Sequence, residues 1–480
     1  MTWDTVIGLE VHAQLKTKSK LFSGASTTFG ATPNSQTSLI DAGLPGVLPV
    51  LNKQAVLMAI QFGLAIKATI NDLSYFERKN YFYPDLPKGY QISQFQKPII
   101  SDGQLTIEVG PEDYKTITIA RAHLEEDAGK SLHELHQDFT GIDLNRAGTP
   151  LLEIVTTPCI YSAHEAISYL KTLHQLVRFL DICDGNMQEG SFRCDVNISI
   201  KPAGSDKLGV RTELKNLNSF RFIEKAIAFE QHRQQELLET GQPLLQETRA
   251  FCHITETTRA LRSKENEFDY RYFPDPDLLP IAISAEEIKT VKSQLPPLPE
   301  EIKESLLVEA IYSTEDIQFL LSSPSTYHFF CAVKKHSQAD GKTISNWLKT
   351  TYTAALNESN TTFENPPISA QLLGELLTLI KDKTISNAIA KQIFSKLLAG
   401  EHTIQDIIAR EGYNQLSDQT HIEQLIKELT QQYPQQAEDY RSGKEKILAF
   451  FVGQIMKQTK GKANPEEVNK LLKQHLLGTP

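Results

Sequence analysis

The sequence predicts an α+β protein: a mixed-sheet N-terminal domain over residues 1–294, an all-helical domain over 295–405 and a small helical tail over 406–480. Three observations carry this reading. Short apolar runs alternate with Gly, Pro and Asn punctuation through the first 290 or so residues, as in a domain rich in sheet. The proline cluster Leu295-Pro296-Pro297-Leu298-Pro299 then interrupts the pattern and reads as a linker. Beyond it, apolar residues recur at helical spacing almost throughout, as at 370–380 and 385–398, and Gly400 with the polar stretch after it marks the second boundary.

The elements follow in order. Residues 6–15, Val-Ile-Gly-Leu-Glu-Val-His-Ala-Gln-Leu, alternate with period two. Leu9, Val11, Ala13 and Leu15 therefore share one face of a strand, and Glu10 and His12 point from the other. Ser162 with Glu165 forms a capping-box signature, and Ile167, Leu170, Leu173, Val177 and Leu180 continue it as an amphipathic helix. Residues 193–200 alternate again. Cys194, Val196, Ile198 and Ile200 face one side; Arg193, Asp195 and Asn197 face the other. Pro202-Ala203-Gly204-Ser205-Asp206 makes a loop, residues 210–215 return as a hairpin, and a second helix spans 222–238.

Composition excludes several classes. With 480 residues, 40% of them hydrophobic, the chain has material for a large core. The net charge of -10 does not suit a general polyanion binder, but residues 441–480 carry eight Lys/Arg against three Asp/Glu, so attraction to a phosphate backbone would sit at the C-terminus. The five cysteines form no C-x-x-C pair, which fits a reducing compartment. No signal pattern opens the chain and no run of 18 apolar residues occurs, so the expectation is a cytoplasmic protein without a membrane span.

Chemistry is expected from acids that interrupt apolar or Gly-rich strands: Glu10 with His12, Glu125, Glu126 and Asp127, Glu153, Glu189 with Asp195, and Glu213. A carboxylate inside a Leu/Ile/Val strand is costly to bury unless it is paired or binds a cation. Singly, each is as well explained by the wet side of a half-exposed sheet. As a converging set they need a compensating cation, and oxygen-rich donors suit magnesium. Lys79, Lys88, Arg146, Arg193, Arg211 and Lys215 are candidates to pair these acids or to neutralise phosphate oxygens. The sequence has no G-x-x-x-x-G-K-[ST], no G-x-G-x-x-G and no G-x-S-x-G. His133-Glu134-Leu135-His136 is one residue short of a zincin spacing and reads as surface.

The blocks at 6–12, 76–85, 90–94, 123–130, 143–146, 193–199, 212–220 and 269–274 resemble the bacterial GatB family, the B subunits of the aspartyl/glutamyl-tRNA amidotransferase. The likeness continues to Gly453-Gln454-Ile455-Met456-Lys457 and Asn464-Pro465. The resemblance implies a cradle domain, a helical domain and a YqeY-like tail that binds tRNA. It implies ATP and Mg2+ at the cradle and phosphorylation of the side-chain carboxylate of misacylated tRNA. It implies amidation with ammonia from a glutaminase partner, the A subunit, in a heterotrimer strapped together by a small C subunit. The positions that match the family's metal pattern are Glu10, His12, Glu125, Glu153 and Asp195. Lys79 is a candidate catalytic participant, and Glu125 with Glu126 are candidates to take a proton from entering ammonium or to gate its channel. Arg146, Arg193 and Lys215 are candidates for phosphate or substrate contact. Some relatives carry four cysteines as a zinc knuckle where this chain has Ser23, Ala25, Ser38 and Asp41, so no zinc is expected there and packing and turns are expected to hold the loop.

Overall fold

The computed structural model of the chain describes residues 2–132, 138–263, 267–401, 403–413, 419–444, 446–459, 463 and 465–477. The His133-Glu134-Leu135-His136 segment lies outside them. The chain forms two compact units, residues 1–301 and 302–480.

In chain order the strands of the first unit are β1 (Trp3–Gln14), β2 (Thr69–Ile70), β3 (Leu73–Ser74), β4 (Glu77–Asn80), β5 (Tyr90–Ser93), β6 (Ile100–Gly110), β7 (Asp113–Glu126), β8 (Lys130–Leu132), β9 (Gly141–Asp143), β10 (Pro150–Thr156), β11 (Phe192–Pro202), β12 (Thr212–Lys215), β13 (Glu247–Cys252), β14 (Thr257–Ser263), β15 (Phe273–Pro274) and β16 (Ile281–Ala282). Nine of them form one sheet in the order β14-β13-β12-β11-β1-β10-β7-β6-β2. The sheet is mixed, because β12 and β13 run parallel while β1 is antiparallel to both neighbours. Its helices are α1 (Lys53–Ala65), α2 (Ala163–Phe179), α3 (Phe220–Glu239) and α4 (Ala285–Ser293).

The period-two pattern of β1 sets the two faces. Ile7, Leu9, Val11 and Ala13 are fully buried and join a core with residues of α1, α2 and α3. Gly8, Glu10, His12 and Gln14 stand half-buried on the opposite, polar face. Helix α2 starts at Ser162, whose side chain accepts from Glu165 N. Glu165 reaches past the cap residue to accept from Tyr161 N, so the expected box is shifted by one residue. A three-stranded sheet, β15-β4-β5, packs by β5 against β7.

The early loop is held by more than packing and turns. Lys20 is fully buried and its Nζ donates to Asp41 Oδ2 at 3.0 Å and to the Leu144 carbonyl at 3.2 Å. Asp41 also accepts from Ser38 N at 2.8 Å and from Ser23 Oγ at 3.2 Å. Gly148 has φ +82°, and a Cβ there would come within 2.6 Å of Asp41 Oδ1. A buried ion pair thus organises the loop and ties it to residues 144–149.

All named elements of the second unit are helices. Asp316, fully buried, caps its own helix by accepting from Ser313 N at 2.8 Å, and it pairs with Lys349 at 2.8 Å and with Lys342. Helix Ile404–Glu411 spans the junction expected at 405/406 and packs on Asn387–Leu398. Further on, Ile422, Ile426, Leu429, Phe451, Ile455 and Leu472 form a separate cluster. On that part Lys444, Lys446, Lys457, Lys470 and Lys473 are exposed; Lys460 and Lys462 lie outside the described residues.

Candidate active site

Strand register brings most of the expected acids together. His12 lies opposite Glu153 on one side and Arg193 on the other, and Glu153 lies opposite His123. One row of the polar face therefore reads His123, Glu153, His12, Arg193 across β7, β10, β1 and β11. In the next row Glu10 pairs with Asp195. Cross-strand neighbours of this kind lie about 4.5–5.5 Å apart at Cβ, so their side chains meet.

His12, Glu125 and Glu153 each offer a ligand atom, and these atoms lie within 4.8 Å of one another. His12 Nε2 is 3.4 Å from Glu153 Oε2 and 3.7 Å from Glu125 Oε1. These are charge contacts rather than short hydrogen bonds. Burial pulls the His12 imidazole down, but the hydrogen-bonding and charge of Glu153 and the charge of Glu125 outweigh it and raise its pKa. For His123 burial again lowers, and Glu153 and Glu125 prevail and raise it to about 9. Burial raises the Glu153 carboxyl, yet the two imidazoles hold it well below its ordinary range. Two carboxylates and an imidazole so disposed fit a divalent cation, whose charge would replace that of the imidazole protons.

The remaining candidates are placed as follows. Glu10 accepts from Asn197 Nδ2 at 2.7 Å, and Asp195 from Lys215 Nζ at 2.7 Å. Both acids adjoin the His12 group without belonging to it. Glu213 accepts from Thr248 Oγ1 at 2.7 Å and lies 3.5 Å from Lys215. Burial lowers the Lys215 ammonium, but the charges of Asp195 and Glu213 raise it on balance. Arg193 donates to Asp127 at 3.0 Å. Arg146 donates to the Ala128 and Gly129 carbonyls at 2.9 and 2.7 Å and lies 3.6 Å from Asp127. Both guanidinium groups therefore border the acid face through one buried carboxylate.

Lys79 sits on β4 in the small sheet, its Nζ 4.8 Å over the Tyr270 ring and 5.8 Å over that of Tyr81. The Tyr81 hydroxyl bonds Gln91 Oε1 at 3.3 Å. Burial first, then the charges of Glu125, Glu126 and Asp127, hold that phenol above its ordinary range.

Two of the expected acids lie apart from the group. Strand alternation turns Glu126 off the face that Glu125 shares, and Glu126 is occupied by Lys88 and by Ile92 N at 2.9 Å. It is therefore removed from the converging set. Glu189 is exposed in the 186–190 turn and takes no part in the set either.

The fold also brings in a member that the strand patterns did not single out. His123 is buried beside both Glu125 and Glu153, at 3.7 and 3.4 Å. Its signal was the spacing of His123 and Glu125 on one strand face.

Next to Glu10 the polar face opens into a cavity of about 190 Å³ lined by Val6, Gly8, Val155, Asn197, Leu208 and Arg211, among others. A Cβ on Gly8 would meet nothing within 4 Å, so the missing side chain is what leaves the space open.

The fold and site define a class: a mixed sheet whose polar face gathers acids and imidazoles, three of which could hold a divalent cation, beside a small cavity and several cationic side chains. A family model described as the GatB/GatE catalytic domain matches residues 5–289, and one described as a GatB domain matches residues 328–476. The chain is 68% identical over 476 residues to a Legionella pneumophila (strain Lens) protein named as the B subunit of aspartyl/glutamyl-tRNA(Asn/Gln) amidotransferase, covering 99% of this chain and 100% of that one. It is 53% identical over 477 residues to a Coxiella burnetii (strain CbuG_Q212) protein of the same name, with 99% and 100% covered. The chain belongs to the GatB family.

Proposed function

We propose that this chain is the B subunit of an aspartyl/glutamyl-tRNA(Asn/Gln) amidotransferase and that the polar sheet face activates and amidates the side-chain carboxylate of misacylated tRNA. The reaction class is a carbon–nitrogen ligase with glutamine as amido donor. The observation that carries this reading is the His12, Glu125 and Glu153 group on the polar face of the sheet, with Glu10 and Asp195 in the adjoining row.

A carboxylate does not react with ammonia at neutral pH, because oxide would have to leave. In the proposed reaction the γ-phosphoryl group of ATP passes to a side-chain carboxylate oxygen and ADP departs. Ammonia then attacks the acyl carbon, the bond to the phosphate oxygen breaks with its electron pair, and the nitrogen gives up a proton. The work of the protein is positioning and charge neutralisation. His12, Glu125 and Glu153 would hold Mg2+, with Glu10 and Asp195 reaching it directly or through water. When bound, the cation supplies positive charge to the phosphate oxygens. Arg193, Lys215 and Arg146 border the face as further cations, and Lys79 approaches through its tyrosines. The cavity beside Glu10 is the place for the nucleoside, next to the acids but not among them. Glu125, a member of the cation group that also accepts from Ser93 Oγ at 3.2 Å, is the candidate to accept the nitrogen's proton.

Ammonia is supplied by the glutaminase, or A, subunit, with the small C subunit completing the assembly, and the exposed lysines of the tail bind the tRNA backbone. Among the described residues no helix is long and apolar enough to cross a membrane. A purely docking role is not favoured, since docking gives no reason to gather buried and half-buried carboxylates and imidazoles.

The test uses the assembled heterotrimer. Glu153→Gln and Asp195→Asn should each lower ATP- and glutamine-dependent amidation of Glu-tRNA(Gln) or Asp-tRNA(Asn) by roughly 100-fold or more while tRNA binding stays intact. Unchanged amidation in both variants would overturn the assignment.

A further inference from the structure

Glu153 lies between two imidazoles, and only that of His12 belongs to the cation group. His123 Nε2 stands 3.4 Å from Glu153 Oε2 and 3.7 Å from Glu125 Oε2. His12 Nε2 meets the other oxygen of Glu125, Oε1, at 3.7 Å. Each imidazole thus addresses both carboxylates, from opposite sides.

The two rings are not equivalent. The His123 side chain is 6% exposed, and its Nδ1 is buried with no hydrogen-bond partner. A metal-binding histidine ordinarily has its second nitrogen fixed by a hydrogen bond. His123 lacks that support, and its one engaged nitrogen is aimed at the carboxylates.

Glu153 depends on these rings. Among the described residues its only ion-pair or hydrogen-bond partners are the two imidazoles. A cation taken up by His12 Nε2 uses the nitrogen that faces Glu153. His123 is then the one group left to orient that carboxylate. Glu125 keeps a second restraint in Ser93 Oγ at 3.2 Å; among the described residues Glu153 has none.

We propose that His123 is a positioning residue: it holds the Glu125 and Glu153 carboxylates in the orientation in which, with His12, they bind a divalent cation, and it does not ligate that cation itself. This rests on the cation reading given above. The two acids are adjacent like charges on a sheet, and without a donor between them they separate into other rotamers. An outer partner of this kind costs roughly 10–100-fold in metal affinity when removed.

The test is Mn2+ binding to the full-length chain, followed by electron paramagnetic resonance, with circular dichroism of the cation-free variants as the check on folding. His123→Ala should weaken Mn2+ binding by roughly 10–100-fold. His123→Gln, whose amide nitrogen reaches the place of Nε2, should recover most of the affinity. Pulsed measurements should detect a single imidazole coupled to Mn2+ in the wild type and in both variants. Two coupled imidazoles in the wild type would make His123 a ligand and overturn the proposal. So would wild-type affinity in a folded His123→Ala, or a His123→Gln chain that binds as weakly as His123→Ala. If His123→Ala does not fold, the glutamine variant decides: loss of Mn2+ binding by a folded His123→Gln refutes the donor role. A wild-type chain that binds no Mn2+ overturns the cation reading itself, and this one with it.

Discussion

Replacing Lys20 by methionine should destabilise the first unit by about 3–5 kcal/mol, the usual cost of stranding one member of a buried ion pair. The structure sets the size. The Lys20 side chain is 0% exposed and that of Asp41 is 2% exposed, so solvent cannot take over the charge left behind. Methionine keeps the length of the lysine stem but loses both donated bonds, to Asp41 and to the Leu144 carbonyl. For a unit of this size the midpoint of thermal unfolding should fall by on the order of 10 °C. Asp41→Asn keeps an oxygen for Ser38 N and Ser23 Oγ and removes the charge. The double variant Lys20→Met/Asp41→Asn should therefore be more stable than Lys20→Met alone, because no unpaired carboxylate remains. Urea and thermal unfolding of the four proteins read out the cycle. A loss below about 1 kcal/mol for Lys20→Met, in the range of an exposed pair, would refute the reasoning. So would a double variant less stable than that single one.

Three further outcomes are expected. Gly8→Val should leave the thermal midpoint near wild type, since a Cβ there meets nothing within 4 Å, and raise KM for ATP by roughly tenfold by filling the cavity beside Glu10; an unchanged KM would remove the nucleoside from that cavity. Burial raises the Asp316 carboxyl, but hydrogen bonds from Lys342, Lys349 and Ser313 outweigh it and hold it below its ordinary range. A depressed carboxyl stabilises the fold above its unfolded pKa of about 3.9, and that contribution disappears as pH falls toward the folded value. The second unit should therefore lose stability with acidification below about pH 5, less steeply in Asp316→Asn, as followed by thermal unfolding against pH; parallel curves would show that Asp316 carries no linkage. Removing residues from 406 onward should weaken tRNA binding and flatten its dependence on salt while ATP binding persists; a truncated chain that binds tRNA as tightly as the full chain at both low and high salt would contradict the basic tail's role.

The polar and apolar faces of β1 and β11 were legible because period two is a local property, and both strands keep it in their residue types over 8–15 and 193–200. The helix begun by Ser162 was legible for the same reason, through a cap and a 3.6-residue repeat, and the helix over 370–380 through its repeat alone. The proline cluster marked the end of the sheet-rich part because proline disrupts strand and helix alike. What escaped was long-range. His123 carries no message alone; its meaning comes from facing Glu153 across β7 and β10. Lys20 and Asp41 resemble any surface lysine and aspartate until the fold encloses both. Glu126 stands beside Glu125 in sequence, yet alternation sends the two carboxylates to different partners, which adjacency alone conceals.

The row His123, Glu153, His12 has a consequence for assembly. Its members come from three strands far apart in the chain, and each is correct only if both pairings of β10 are in register. Sliding β10 by one residue would withdraw Glu153 and offer Leu152 or Ile154 instead. The unfolded chain therefore lacks this row, and on the proposed reading an ion held by His12, Glu125 and Glu153 rewards only the finished sheet. On the proposed reading, the orientation of the cation's ligands and the proofreading of strand alignment depend on the same row.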